Sequence, residues 1–323
     1  MVYVSETTAH LPLKVVIHDY PQGVDELVSA WAAMRVLGHN RPAVNLTFVR
    51  AGENLPTEEC AGCEVIHIDT GRGEFDQHGH PEHSRTSSFE LFAKHYKLDQ
   101  DPGITPLLEL TIKADNIEDI DPTSVHYLFK SRVKRYRNPE TKEVDWKSYV
   151  QVCFEDLDDI YKFHSNKARA KAEFECALQA NECQIKDLGN GLRVYWTGFM
   201  PNLREAAFDH GADVVVMMAK ADRSFHPLIQ CSRKSRVKLC RVNFDLRQEE
   251  VKARNISPKG INFWEEKVDP ALGGAHWFLH HSNKLLCCGS RSHPLDSPEE
   301  FTKLRPFKIF NIVCHSLAQL PPR

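Results

Sequence analysis

The sequence predicts an α/β fold: a mostly parallel N-terminal sheet with helices on both faces, a helical connector, and a smaller C-terminal α/β domain. Three observations carry this prediction. Short apolar runs alternate with helix-period segments from about residue 14 to residue 96. The stretch Lys147–Gln184 is rich in Ala, Glu, Lys and Phe and has few helix breakers. A turn signal, Gly189-Asn190-Gly191, then opens a new series of strand-like runs. At 323 residues the chain exceeds one ordinary core, so two domains are expected. The expected boundaries are 1–130 for the first domain, 131–188 for a loop and connector, and 189–323 for the second.

Lys14–Ile17 reads as a strand, and Asp25–Leu37 as a helix because Leu27, Ala30, Trp31, Met34 and Leu37 recur at helical spacing. Asn45–Val49 and Glu64–Ile68 are further strands. Ser84–Tyr96 begins with Ser and Thr capping candidates and continues as a helix. Leu107–Lys113 fits either a helix or a strand. Arg132–Asp145 is polar, contains Asn138-Pro139, and reads as a loop. In the second domain Leu192–Trp196, Ala212–Ala219 and Val237–Phe244 read as strands. Pro298–Arg305 reads as a short helix, with Ser297 as N-cap and Pro298 in the first turn. There is no internal repeat.

Composition excludes several classes. Hydrophobic residues make up 41% and charged residues 26%, as in an ordinary globular protein. A net charge of −3 argues against tight, unspecific nucleic-acid binding. No apolar run approaches the roughly 20 residues of a membrane span. The start, Met1-Val2-Tyr3-Val4-Ser5-Glu6, lacks the order of a signal peptide, and a cytoplasmic location is expected. Ten irregularly spaced cysteines then read as reduced thiols. Cys60-Ala61-Gly62-Cys63 lacks the second ligand pair that a zinc site needs.

The informative residues lie where apolar runs end. Val15-Val16-Ile17 stops at His18-Asp19, with Asp25 following; Val65-Ile66-His67-Ile68 stops at Asp69, with Asp76 and His78 beyond; a third run stops at Asp115. Read as strands, these runs deliver His18, Asp25, Asp69, Asp76, His78 and Asp115 to one carboxyl edge, where open α/β sheets bind ligands. Carboxylates do not cluster without counter-charge, so the set implies a divalent metal.

The three motifs resemble the DHH phosphoesterase superfamily, closest to the melanocyte-proliferating-gene (MYG-type) branch, which resembles metal-dependent exonucleases acting on RNA. The first motif of that branch is matched by His18, then Asp25 and Glu26; the second by Asp69-Thr70-Gly71-Arg72-Gly73-Glu74-Phe75-Asp76-Gln77-His78; the third by Asp115-Asn116 alone. Two positions depart from the pattern. Gly23 stands where the family carries a metal ligand, and Gln77 replaces the first histidine of a His-His pair. The resemblance implies Asp25, Asp69 and Asp115 on one ion, and His18 and Asp69 on a second that lacks one ligand. Gln77 would be a weak oxygen ligand, and Asp19, His80 or His83 a local substitute. His78 would contact the scissile phosphate or protonate the leaving oxygen, with Asp76 supporting it. The cofactor would be one or two Mn²⁺ or Mg²⁺ ions.

The resemblance also implies a second domain that closes over the metal and grips substrate. Its candidates are Gly273, Gly274, His280, His281 and Arg291: small residues admit backbone N–H groups to a phosphate, and Arg291 would pair with it. If His280 and His281 lie on a strand, at most one faces the cleft. The basic runs Ser131–Arg137 and Arg233–Lys238 read first as solvated faces. The expected function is hydrolysis of phosphodiester bonds in short RNA or nucleotides by metal-activated water. The alternatives are a catalytically impaired nucleotide- or RNA-binding protein on the same fold, or a pyrophosphatase or phosphomonoesterase. No membrane partner is expected, and a homodimer is left open.

Overall fold

The computed structural model describes residues 11–78, 85–221, 224–264, 277–289, 295 and 300–322. The chain divides into two compact units, 1–168 and 169–323.

The first unit is built on a three-stranded parallel sheet in the order β2-β1-β3, with β1 Leu13–His18, β2 Val44–Val49 and β3 Glu64–His67. The central strand carries Leu13, Val15, Val16 and Ile17, all buried, as expected of a parallel strand covered on both faces. Helix α1 (Val24–Ala32) packs on β1, and α2 (Ser88–His95), α3 (Thr105–Asp115) and α4 (Val125–Arg132) gather around α1. Every residue of α1 is buried, so it is an interior helix, and its last turns widen into a π-helical segment, Ala33–Leu37. Helix α5 runs 34 residues, Trp146–Gln179. Its first half adds Tyr149, Val150, Cys153, Phe154 and Leu157 to the core of the first unit. Asp158 fixes it to α1, accepting from Trp31 Nε1 at 2.9 Å and from Arg35 Nε at 3.0 Å.

The second unit holds a six-stranded mixed sheet in the order β4-β5-β6-β7-β9-β8. Its strands are Gln184–Asp187, Arg193–Trp196, Val214–Ala221, Ser224–Cys231, Trp277–Leu279 (β8) and Leu285–Cys288 (β9). Alternation divides its side chains between two cores. Val194, Val214, Val216 and Ile229 join α7 (Cys240–Ala253) and α8 (Pro306–Ala318) on one face. Tyr195, Val215 and Met217 join Phe174 and Ala177 of α5 and Ala206 and Ala207 of α6 (Arg204–Asp209) on the other.

Three expectations need correction. The third run is helix α3, not a strand: Pro106 in its first turn suits a helix start. Of Val237–Phe244, residues 237–239 are coil and residues 240–244 open helix α7, whose buried Val242 and Leu246 follow helical spacing. The C-terminal helix starts at Pro306; the described part of Pro298–Arg305, residues 300–305, is irregular, and the rest lies outside the described residues. Among the described residues no helix is long and apolar enough to cross a membrane. All ten cysteines are free.

Candidate metal centre

The site is assembled by two adjacent parallel strands. β1 ends at His18, and β3 continues through Ile68, whose N–H bonds Val16 O at 2.9 Å, to Asp69. The two side chains therefore emerge side by side at the carboxyl edge. Asp69 has a left-handed backbone, φ 51°, a region that few L-residues adopt but aspartate tolerates. The loop beyond it is pinned by a bridge from Ile68 to Phe75 and by the Asp69 N–H to Phe75 O bond at 3.0 Å. Phe75 is buried against Phe92 and Tyr96. Asp76, also buried, closes the loop: Oδ2 accepts the Arg72 N–H at 2.8 Å and Oδ1 the His78 N–H at 2.9 Å.

Asp69 is the node. His18 Nε2 lies 3.6 Å from Asp69 Oδ2 and 3.6 Å from Glu26 Oε1. His78 Nε2 lies 3.2 Å from Asp69 Oδ1. Among the described residues, two groups place their donor atoms within 4.8 Å of one another: His18, Glu26 and Asp69, and Asp69, Asp76 and His78. Asp69 belongs to both.

The remaining sequence candidates stand around this node. Gln77 donates from Nε2 to Asp115 Oδ1 at 3.2 Å and accepts from Ser88 Oγ at 2.5 Å. Asp115, at the C-terminal end of α3, is thus linked to the site through Gln77 and lies outside both close donor groups. Asp25 is turned to the start of α2, where Oδ2 accepts the Ser88 N–H at 2.8 Å and Oδ1 the Phe89 N–H at 3.0 Å. Glu26, one residue on, is the acid that faces His18. It belongs to the first motif, where the resemblance implies no role for it. The signal for it was its place three residues after Gly23, from which a glutamate reaches back over a helix start.

Electrostatics follow from burial and proximity. Burial and the charge of Asp69 push Asp25 well above the usual carboxylate range. The same two causes push Glu26 up to about 7 and raise Asp115. Burial also disfavours ionised Asp69, yet hydrogen bonds from His18 and His78 outweigh it and lower its pKa. His78 is raised to about 9, chiefly by its hydrogen bond to Asp69. For His18 burial acts downward, and the Asp69 hydrogen bond with the charges of Glu26, Asp69 and Asp19 raises it overall. Asp69 is thus favoured as a carboxylate between two imidazoles, while Asp25, Glu26 and Asp115 around it are driven toward protonation.

The substrate candidates are less defined. Gly273, Gly274 and Arg291 lie outside the described residues, as do His80 and His83. His280 and His281 are described, and the condition of lying on a strand is not met. They follow β8 in a turn, with ring centroids 3.9 Å apart, and His280 Nδ1 pairs with Ser282 Oγ at 2.9 Å. A strand would have pointed them to opposite faces. In the basic runs Arg132 pairs with Asp156, while Lys134, Arg135, Arg137, Arg233, Lys234, Arg236 and Lys238 are exposed.

No family model and no curated protein matches the sequence. Among solved structures the chain is similar to a pGpG-specific phosphodiesterase from Vibrio cholerae, at 13% identity and a TM-score of 0.32, covering 85% of this chain and 92% of that one. It is also similar to the DHH domain of a protein described as a member of the s1p family of ribosomal proteins, at 11% identity and a TM-score of 0.30, covering 96% and 87%. Likeness at this level assigns no role to any residue.

Proposed function

We propose that this chain is a metal-dependent phosphoesterase of DHH type that hydrolyses phosphodiester bonds of short RNA or nucleotides in the cytoplasm. The observation that carries this reading is the double membership of Asp69 in two compact donor groups at one sheet edge. Oxygen and imidazole donors in such groups suit Mn²⁺, and Mg²⁺ less well.

His18 and Asp69 would hold one ion, and Asp69 with Asp76 a second. When bound, such ions polarise a phosphoryl oxygen, acidify water and offset charge that develops in displacement. The protein's own residues do the rest. Holding an ion at His18 Nε2 requires the ring proton on Nδ1. The Tyr20 N–H donates to that Nδ1 at 3.2 Å, so an ion at Nε2 would require this contact to be given up. His78 has a side chain 69% exposed and its Nε2 stands 3.2 Å from Asp69 Oδ1, so it is placed to contact a bound phosphate or to donate to the leaving oxygen. Asp76 fixes the His78 backbone through its N–H. Asp25 holds the start of α2 against the site, and from there Ser88 positions Gln77.

The test is hydrolysis of a short RNA with Mn²⁺ beside an Asp69→Ala variant, with pyrophosphate and a phosphomonoester as competing substrates. RNA cleavage that needs Mn²⁺ and is lost in the variant supports the reading. Preference for pyrophosphate or the monoester moves the activity to another phosphate class. Metal binding without hydrolysis of any substrate favours the binding-protein alternative. That alternative draws support from Asp25, a residue assigned to the metal by resemblance whose two oxygens both serve backbone N–H groups.

A further inference from the structure

Position 23 lacks the ligand that the first motif leads one to expect, yet the space for it is filled. Gly23 is the N-cap of α1 with φ −78° and ψ 154°, ordinary extended backbone that any residue adopts. Nothing in its conformation calls for glycine. A Cβ built there would stand 2.2 Å from Glu26 Oε2 and 2.8 Å from Oε1. The Glu26 carboxylate lies over the glycine, with Oε1 accepting the Gly23 N–H at 2.5 Å, so a side chain at 23 and this placement of Glu26 compete for the same space.

We propose that Glu26 replaces the side chain missing at position 23 and completes, with His18 and Asp69, a three-donor site for one divalent cation. The inference rests on the phosphoesterase reading of this centre and adds a residue to it. Three facts carry it. Glu26 Oε1 and Asp69 Oδ2 are equidistant from His18 Nε2, at 3.6 Å each. Glu26 is only 5% exposed, whereas a glutamate serving merely to cap a helix has no need to lie buried beside two other acids. Asp25 faces the start of α2, where its oxygens accept two amides, and it belongs to neither close donor group among the described residues. The donor count of the site is thus retained while one donor moves three positions along the chain. A glutamate is one methylene longer than an aspartate, and from the first turn of α1 that length carries its carboxylate back to the N-cap.

The test uses the full chain and Mn²⁺ alone, read by calorimetry and by the electron paramagnetic resonance of bound Mn²⁺. Glu26→Gln keeps an oxygen for the Gly23 N–H and so preserves the cap, which far-UV circular dichroism checks. It should weaken one Mn²⁺ site by at least the roughly 10- to 100-fold that loss of an outer-shell partner costs. Glu26→Ala should weaken it further. Gly23→Asp combined with Glu26→Ala places a carboxylate in the vacated space on a permissive backbone and should recover binding. Folded Glu26→Gln and Glu26→Ala proteins that bind Mn²⁺ as the parent does would overturn the proposal while leaving the metal centre standing. A parent chain that binds no Mn²⁺ would remove both.

Discussion

Asp25 Oδ2 accepts the backbone N–H of Ser88 at 2.8 Å across 63 residues of sequence, and its Oδ1 accepts that of Phe89 at 3.0 Å. The first acidic motif thereby caps the helix that carries Ser88 toward Gln77 and Asp69. Ser87 caps the same helix locally, accepting the Glu90 N–H at 3.1 Å.

Asp25→Ala leaves two buried amides without their acceptor. Each unsatisfied buried group costs about 1–3 kcal/mol, and removing a buried acid that repels Asp69 offsets part of this. The expected result is a net loss of about 1–3 kcal/mol in urea unfolding, with faster amide exchange at Ser88 and Phe89. Unchanged exchange at those two amides would contradict the capping role.

Glu250 plays a comparable part in the second unit. It is 1% exposed. Oε1 accepts from Arg254 Nε at 2.9 Å and from the Lys303 N–H at 2.7 Å, and Oε2 from Thr302 Oγ1 at 2.6 Å. Removing one partner of a buried ion pair typically costs about 3–5 kcal/mol. Glu250→Ala should lower stability by about that much and raise amide exchange at Lys303. A loss below about 1 kcal/mol, the scale of an exposed pair, would mean that the network is solvated.

His126 gives a pH signature away from the metal centre. It is buried near the start of α4, and its Nδ1 has no hydrogen-bond partner. Burial, with a smaller effect from Lys130, lowers its pKa below the usual 6.5. The unfolded chain then binds the proton more readily, so this residue's contribution to stability is full above pH 6.5 and is lost as pH falls toward the folded value. His126→Phe should therefore gain stability relative to the parent at pH 5.5 compared with pH 7.5, in paired urea titrations. The acids near Asp69 titrate in both proteins and cancel in the difference. A parent-to-variant difference that is equal at the two pH values would refute this.

The sequence made the sheet of the first unit legible because its central strand is uniformly apolar and ends abruptly at His18. Asp69 was legible for the same reason. Other parts were hidden by specific physics. In Val237-Lys238-Leu239-Cys240-Arg241-Val242 apolar and polar residues nearly alternate, which mimics a strand, and only the later burial of Leu246 reveals the helix. Strand β7 contains Pro227, which argues against an interior strand. It is tolerated because β9 pairs only with Leu228–Gln230 and stops short of it. The division of labour between Asp25 and Glu26 could not be read from spacing, since neighbouring residues on a wholly buried helix point about 100° apart and either is near enough to reach a ligand.

The central claim is a metal centre built on Asp69. The most direct measurement is anomalous diffraction at the manganese edge from crystals of the full chain soaked in Mn²⁺. The account predicts a peak coordinated by Asp69 together with His18 and Glu26, with any second peak on the Asp76 side of the same carboxylate. Crystals that show no peak at Asp69, or whose only manganese lies away from the carboxyl edge of β1 and β3, would contradict it.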